Sequence, residues 1–170
     1  LEIAPSMRKG SVLAEVSSVK KRAVEALREA SAFGIRPLSV HPMFGPAAES
    51  LEGKTVVVVP VVDADAETWI ARRLFKEAEI VVSSQADHDR AMALVLSLTY
   101  FLNLVFARVL CGEDLLSLKR LSGTTFSVQL ALAESIVSED PGLVESLLKE
   151  NSFTEGCLDS FIDECCRIRG

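Results

Sequence analysis

Strand-forming sequence is confined to the first half of the chain, and this asymmetry limits the possible folds more than any other feature. Apolar or β-branched runs of strand length occur there at 11–16, 37–40, 55–62 and 79–82. Helical periodicity lies between some of them, at 19–32 and 66–76. Alternating strands and helices predict a mostly parallel α/β unit with helices packed on the sheet.

No strand signal recurs after residue 84, where the pattern becomes helical. Candidate helices lie at 87–110, 114–121, 125–138, 141–149 and 154–168. Asp140 and Pro141 mark one helix start, because Asp is a favoured N-cap and Pro fits the first helical position. The predicted fold class is therefore α/β followed by all-α, with domains at 1–83 and 84–170.

Composition excludes several classes of protein. A chain with 49% hydrophobic residues is not disordered. The net charge of −6 lies entirely in residues 83–170, which hold 7 basic and 13 acidic side chains. That balance argues against a nucleic-acid partner, since such proteins carry a basic stripe. Nothing at the start resembles a signal peptide, so we expect a cytoplasmic protein.

The cysteines lack the regular spacing of a zinc or redox site. We therefore expect no metal, and we expect buried, reduced thiols instead. The four residues concerned are Cys111, Cys157, Cys165 and Cys166.

A run of 17 residues without charge, 91–107, could belong to a membrane helix or to a buried one. A membrane span needs about 20 such residues. This run is shorter, contains Ser97, Thr99 and Asn103, and is flanked by charges. We therefore expect a core helix, or one covered by a second subunit of a homodimer, and no membrane.

Only two histidines occur, so a side chain that titrates near neutrality is one of them or a perturbed group. His41 follows the predicted strand 37–40, and α/β proteins place ligands at the carboxyl ends of parallel strands. A loop histidine without a role is the alternative. His88 lies between Asp87 and Asp89, which fits a structural histidine at least as well as a functional one.

The segment Ser17-Ser18-Val19-Lys20 follows the first predicted strand in the same way. Free amide groups at a helix start, together with Lys20, favour an anion. An ordinary serine N-cap is the alternative. Neither G-x-x-x-x-G-K-[ST] nor G-x-G-x-x-G occurs in the chain.

Three segments together resemble the prephenate dehydrogenase family. They are S-S-V-K at 17–20, H-P-M-F-G-P at 41–46, and D-H-D-R-A-M-A at 87–93 followed by L-T-Y-F at 98–101. The segment E-D-P-G-L at 139–143 matches a further landmark. The resemblance covers nearly all of the chain but begins partway through the family's nucleotide-binding domain. It implies that 1–83 is the last part of a Rossmann-type parallel sheet and that 84–170 is a helical substrate and dimerisation domain.

Members of this family oxidise prephenate with NAD or NADP and release CO2, giving 4-hydroxyphenylpyruvate for tyrosine biosynthesis. Some members prefer arogenate. By resemblance, His41 would be the catalytic histidine that takes the proton from the ring hydroxyl. Ser18 would bind near that hydroxyl and the nicotinamide, with Ser17 also on the cofactor. Lys20, Ser97 and Tyr100 would contact the substrate.

Two positions depart from the family pattern. Ser135 stands where an Arg usually binds a substrate carboxylate, and Tyr100 stands where His is common. Either another cation compensates (Lys20, Arg90 or Lys119), or the substrate differs, or activity has been lost. Arogenate dehydrogenase, or a catalytically impaired dimeric or regulatory module of the same fold, are thus the alternatives. Because the chain lacks the phosphate-binding turn, we expect it to be inactive alone and to bind NAD weakly.

Overall fold

The computed structural model describes residues 2–45 and 47–170. The chain divides into two compact units, 1–91 and 92–170, and each is described by itself.

The first unit alternates strands and helices after a short 3-10 turn at Ala4–Ser6. In chain order its elements are β1 (Val12–Glu15), α1 (Lys21–Ser31), β2 (Arg36–Pro42), β3 (Thr55–Val58), α2 (Ala64–Leu74), β4 (Glu79–Val82) and α3 (Gln85–Met92). The four strands form one sheet in the order β1-β2-β3-β4.

The sheet is mostly parallel, as expected, but one of its three strand pairs is antiparallel. β1 pairs with β2 and β3 pairs with β4 in parallel, whereas β2 and β3 are antiparallel. A parallel connection needs a crossover, usually a helix. The described residues between β2 and β3 form no helix, so the chain turns back directly.

Two strand boundaries differ from the prediction for physical reasons. β3 ends at Val58, short of the predicted residue 62, because Pro60 lacks the N–H that a central strand must donate. β2 extends to Pro42, so His41 is part of the strand rather than the loop after it. Pairing of His41 with Val57 holds it there.

Helices cover both faces of the sheet. On one face, Leu38 and Val40 of β2 pack with Ile70 and Ala71 of α2. On the other face, buried residues of α1 pack against the end of β3 and the segment after it, namely Val24, Leu27, Val57, Val59 and Val61. Since side chains alternate along a strand, His41 points to the opposite face from Val40.

A buried carboxylate organises the start of α2. Glu67 is 2% exposed and accepts hydrogen bonds from the backbone N–H groups of Val61, Val62 and Asp63, at 2.8 to 2.9 Å. Asp63 in turn caps the helix by accepting from the N–H of Ala66. The reciprocal arrangement satisfies amides that a helix start leaves unpaired.

The second unit is entirely helical over its described residues, as predicted. A π-helical segment, Ala93–Leu98, leads into α4 (Thr99–Val109), α5 (Leu115–Leu121), α6 (Thr124–Val137), α7 (Pro141–Lys149) and α8 (Thr154–Arg169). Asp140 is the N-cap of α7 and accepts from the N–H of Leu143, with Pro141 at the first helical position, also as predicted.

Polar side chains join the helices inside this unit. Asn103, 2% exposed, donates to the carbonyl of Thr99 and accepts from Gln129 of α6 at 2.8 Å. Such bonds satisfy polar groups that would otherwise be costly to bury.

Helical structure is continuous over Gln85–Val109, and this stretch is long and apolar enough to cross a membrane by length and composition alone. Most of it is not buried in this chain. Its exposed apolar side chains form what we call the apolar stripe: Leu94, Val95, Leu102, Val105 and Val109. If this helix is surrounded by protein, as predicted, a protein surface that is not part of this chain must cover the apolar stripe.

The prediction of buried thiols is wrong for three of the four cysteines. Cys111, Cys165 and Cys166 are exposed, and Cys157 is half-buried. Cys165 and Cys166 are exposed because they lie in the last turns of α8, where every described residue faces solvent.

Candidate active site

The candidate site lies in the first unit, where the parallel strands β1 and β2 end. Their register pairs Glu15 with Ser39, so Ser17 and His41 follow two residues later at the same edge of the sheet. The start of α3 supplies two further side chains to this place. Sheet pairing and a helix thus bring together groups that are far apart in sequence.

Three buried side chains form a hydrogen-bonded triad, His41–His88–Asp89. His41 Nδ1 lies 3.0 Å from His88 Nε2, and His88 Nδ1 lies 2.9 Å from Asp89 Oδ1. The two rings meet edge to face, with centroids 5.2 Å apart. All three residues are at most 5% exposed. This burial shields the hydrogen bonds from competition with water.

When His88 is neutral, the hydrogen bonds of the triad determine where the ring protons lie. Asp89 is an acceptor when ionised, so His88 Nδ1 carries the proton in that bond. A neutral His88 then has an unprotonated Nε2, which accepts the proton on His41 Nδ1. His41 Nε2 is left with its lone pair, which is the form that a general base needs.

Burial and charge keep His41 neutral. Loss of hydration on burial, and then the neighbouring His88 and Lys20, lower the pKa of His41 from 6.5 to about 4. Burial by itself raises the pKa of Asp89, but hydrogen bonds from His88, Gln85 and the Lys20 backbone outweigh it and hold that pKa below its ordinary value. Near neutral pH the site therefore contains an uncharged His41 and an ionised Asp89.

A second set of polar groups lies beside the triad and is centred on Glu15. Its Oε1 accepts from Lys20 Nζ at 2.7 Å and from the Ser39 hydroxyl. Its Oε2 accepts from the backbone N–H of Ser17 at 2.8 Å and from the Ser17 hydroxyl at 2.5 Å. Lys20 Nζ also donates to the carbonyl of Val40 at 2.6 Å.

Lys20, which was expected to contact the substrate, is buried and already paired. Its side chain is 0% exposed, and its Nζ is engaged by Glu15 and Val40. Burial lowers the pKa of Lys20, while the nearby Glu15 and Asp89 act in the opposite direction. Ser18 is half-buried at the strand edge, beside Ser17. Direct contact of Lys20 with a substrate stays a prediction.

The other predicted substrate residues belong to the second unit. Ser97 is buried, donates to the carbonyl of Leu147 at 2.8 Å and accepts from the Thr154 hydroxyl at 2.9 Å. Tyr100 is half-buried, and burial, followed by the charge of Glu139, raises the pKa of its hydroxyl.

Sequence reasoning missed two parts of this arrangement. It gave no role to Glu15, although an acidic residue in an otherwise apolar strand, five residues before Lys20, was a usable signal. It left the role of His88 open, because the contact with His41 depends on tertiary structure. Within 2–45 and 47–170, no group of three or more His, Cys, Asp or Glu residues is arranged to hold a metal ion.

Two family models together match the chain. Residues 1–84 match the nucleotide-binding domain of prephenate dehydrogenase, and residues 84–170 match its dimerization domain.

Two curated relatives are similar over most of this chain. A Methanocaldococcus jannaschii protein named "Probable arogenate/prephenate dehydrogenase" is 26% identical over 173 residues, which is 98% of this chain and 39% of the relative. The T-protein of Enterobacter agglomerans is 27% identical over 147 residues, which is 85% of this chain and 39% of the relative. The chain thus spans well under half the length of either protein.

Two solved structures share the fold. Prephenate dehydrogenase from Aquifex aeolicus, in complex with hydroxyphenyl propionate and NAD+, matches with a TM-score of 0.76 at 20% identity, covering 99% of this chain and 62% of that one. Synechocystis arogenate dehydrogenase matches with a TM-score of 0.69 at 21% identity, covering 98% and 63%. These matches confirm the predicted fold class, α/β followed by a helical domain.

Proposed function

The chain belongs to the prephenate dehydrogenase family, and we propose that the protein containing it oxidatively decarboxylates prephenate with NAD or NADP. The product would be 4-hydroxyphenylpyruvate, a precursor of tyrosine, and arogenate is the alternative substrate. Within this protein, 1–83 would be the last part of the nucleotide-binding domain and 84–170 the helical substrate and dimerisation domain. The observation that carries the proposal is the triad, which leaves a neutral His41 ready to accept a proton.

The proposed role of His41 follows from its tautomer. Its Nε2 accepts the proton of the substrate's ring hydroxyl as the substrate is oxidised, while its Nδ1–H stays bonded to His88. That bond orients the ring, and Asp89 stabilises the positive charge that appears on the paired rings. A group with a low pKa is unprotonated and available at physiological pH.

The residues after β1 fit the nicotinamide end of NAD or NADP. Glu15 holds Ser17 by two hydrogen bonds, which leaves the neighbouring Ser18 hydroxyl on a fixed turn at the edge where His41 lies. A serine hydroxyl both donates and accepts, as an amide ligand requires. Ser17 and Ser18 would hold this end of the cofactor. When bound, the nicotinamide supplies hydride acceptance, which no amino-acid side chain provides.

The residues near the expected carboxylate site differ from the family pattern. Ser135 is exposed and occupies the position of the usual Arg. Lys119 is engaged by Glu134 at 3.0 Å. Ser97 and Tyr100 are proposed to contact the substrate. The burial of Lys20 in its pair with Glu15 favours a second candidate function, a dimeric or regulatory module of the same fold that has lost turnover.

The apolar stripe supports the proposal of a homodimer. Its five side chains are all at least 41% exposed in the single chain. Large contiguous apolar patches on soluble proteins usually mark interaction sites. The matching family model for this half is a dimerization domain, so a second copy of the chain is the proposed partner. A dimeric cytoplasmic enzyme accounts for this helix without a membrane.

Turnover by the full-length protein that contains this chain tests the proposal. Prephenate and arogenate are each supplied with NAD or NADP, and the absorbance of reduced nicotinamide is followed. Reduction of cofactor with either substrate supports a dehydrogenase. A folded protein that reduces no cofactor in any of the four combinations supports the module without turnover.

The variant His41→Asn tests the role of His41 as the general base. His41→Asn is expected to lower kcat roughly 100- to 10,000-fold, the usual contribution of a general base. Lys21→Met, which changes an exposed residue, is the control and should be fully active. Equal kcat in the two variants would remove His41 from the mechanism.

A further inference from the structure

Lys20 donates hydrogen bonds to Asp89, at one end of the triad, and to the peptide group that precedes His41, at the other end. Its backbone N–H donates to Asp89 Oδ1 at 3.0 Å. Its Nζ donates at 2.6 Å to the carbonyl of Val40, which belongs to the peptide group that precedes His41. One residue is therefore bonded both to the carboxylate that starts the triad and to the strand that carries the base.

The burial of Lys20 is unusual enough to require an explanation. A lysine is almost never fully buried unless it is paired, and its side chain here is 0% exposed. A buried ion pair is often no more stabilising than apolar residues of the same size. Glu15 offsets the charge, but the second Nζ bond goes to the strand at His41 rather than to another charge. Stability alone therefore does not account for a lysine at this position.

We propose that Lys20 is a positioning residue, which holds Asp89 and the Val40–His41 peptide at a fixed separation so that His41 keeps its Nδ1–H tautomer. The inference rests on the proposed role of His41, and it assigns Lys20 to the support of the base instead of to direct contact with the substrate. Glu15 completes the arrangement by keeping Lys20 charged and directed at the strand.

The groups around His41 give this role an electrostatic signature. His88 and Asp89 face it from α3, Lys20 from the segment before α1, and Glu15 from β1. His88 and Lys20 disfavour protonation of the ring, whereas Glu15 and Asp89 favour it. Removing the charge of Lys20 should therefore raise the pKa of His41. A defect that lets water reach the ring would raise this pKa as well. The tautomer of His41 in Lys20→Arg, which keeps the charge, therefore has to be measured beside the pKa in Lys20→Met.

The experiment is a pH titration of the histidine rings by NMR in the full-length protein labelled with 15N-histidine. Signals of His41 and His88 are assigned by their loss in His41→Gln and His88→Gln. The variant is Lys20→Met, which keeps most of the apolar stem. Lys21→Met is the matched control, because Lys21 is the next residue and is exposed.

The expected result has two parts. In Lys20→Met the pKa of His41 rises, and the 15N shifts change from a pure Nδ1–H tautomer to a mixture of both tautomers. In Lys21→Met neither changes. A folded Lys20→Met protein whose His41 has the wild-type pKa and tautomer overturns the proposal.

A second variant covers the case in which Lys20→Met does not fold. Lys20→Arg keeps the positive charge, but its planar head cannot reproduce the single short bond to Val40. The proposal then requires a mixed tautomer at His41 with little change in its pKa, and a pure Nδ1–H tautomer overturns it.

The NMR readout separates this inference from the proposed function, because it needs no turnover. If the titration behaves as expected and no dehydrogenase activity is found, the role of Lys20 stands and the proposed reaction fails. If activity is found, Lys20→Met should lower kcat roughly 10- to 100-fold, as misplacement of a catalytic group does, with KM little changed. If Lys20→Met is fully active and its His41 titrates as in the wild type, the positioning role of Lys20 is wrong and the proposed reaction is unaffected.

Discussion

The low pKa of His41 predicts a specific loss of stability in mild acid. In the unfolded chain this histidine has its ordinary pKa of 6.5, whereas in the folded protein the pKa is about 4. Between these values the unfolded state binds one more proton than the folded state at this ring, so stability falls as pH falls. The contribution is complete above pH 6.5 and is lost progressively towards pH 4.

The magnitude follows from the size of the shift. A difference of about 2.5 pKa units corresponds to about 3 kcal/mol when it is fully expressed. Most of this contribution to the free energy of unfolding, about 2 kcal/mol, is lost between pH 7 and pH 4.5. The side chain is 5% exposed, so solvent screening reduces this value little. Asp89 also has a lowered pKa, but its contribution is lost at lower pH than this range.

The assay is urea unfolding at pH 7 and pH 4.5, followed by circular dichroism, for the wild type and His41→Gln. Other carboxylates contribute in both proteins, so the quantity of interest is the difference between their two pH responses. We expect the wild type to lose about 2 kcal/mol more than the variant. If the variant loses as much as the wild type, His41 is not held neutral by its surroundings and the argument from burial is refuted.

Three further predictions concern other parts of the chain. Asp89→Asn should lower kcat at least 100-fold by releasing the His88 tautomer, whereas Asp87→Asn, at an exposed neighbour, should have little effect on kcat. Glu67→Ala leaves three backbone N–H groups without their acceptor and should destabilise the protein by about 2–4 kcal/mol in urea unfolding. Leu102→Glu in the apolar stripe should convert a dimer to a monomer in light scattering, and Val62→Glu, an exposed apolar residue of the first unit, should not.

Each of these has a result that would contradict it. Equal kcat in the two aspartate variants would mean that the tautomer is set without Asp89. A midpoint in urea unchanged by Glu67→Ala would mean that water satisfies the amides as well as the carboxylate does. A dimer that survives Leu102→Glu would mean that the partner covers another surface.

The elements of the fold were largely predictable, because each depends on local pattern. The strand at 79–82 has the predicted bounds, and α7 begins at its predicted cap. The direction of β3 was not predictable in this way. Whether β2 and β3 run antiparallel depends on how the chain connects them, and periodicity contains no information about neighbouring strands.

In the candidate site, too, features that depend on local sequence were predictable and features that depend on tertiary structure were not. The position of His41 near a strand end made it a candidate, with a loop histidine without a role as the alternative, and its proposed role came from the family resemblance. The triad was not identifiable, since His41 and His88 are 47 residues apart and meet only after the sheet forms. The burial of Lys20 was also hidden, because a lysine at a predicted helix start normally faces solvent.

The contact between the two imidazole rings means that a proton accepted at one place need not remain there. If His41 takes a proton on Nε2, as proposed, its Nδ1 proton can shift along the 3.0 Å bond to His88, which leaves His41 neutral again. The positive charge then lies beside Asp89, which is 2.9 Å from His88. Two rings in series thus form a short path for a proton, which ends at the ring beside Asp89. Such a hand-off moves two protons in one step, and a curved proton inventory in mixtures of H2O and D2O would reveal it.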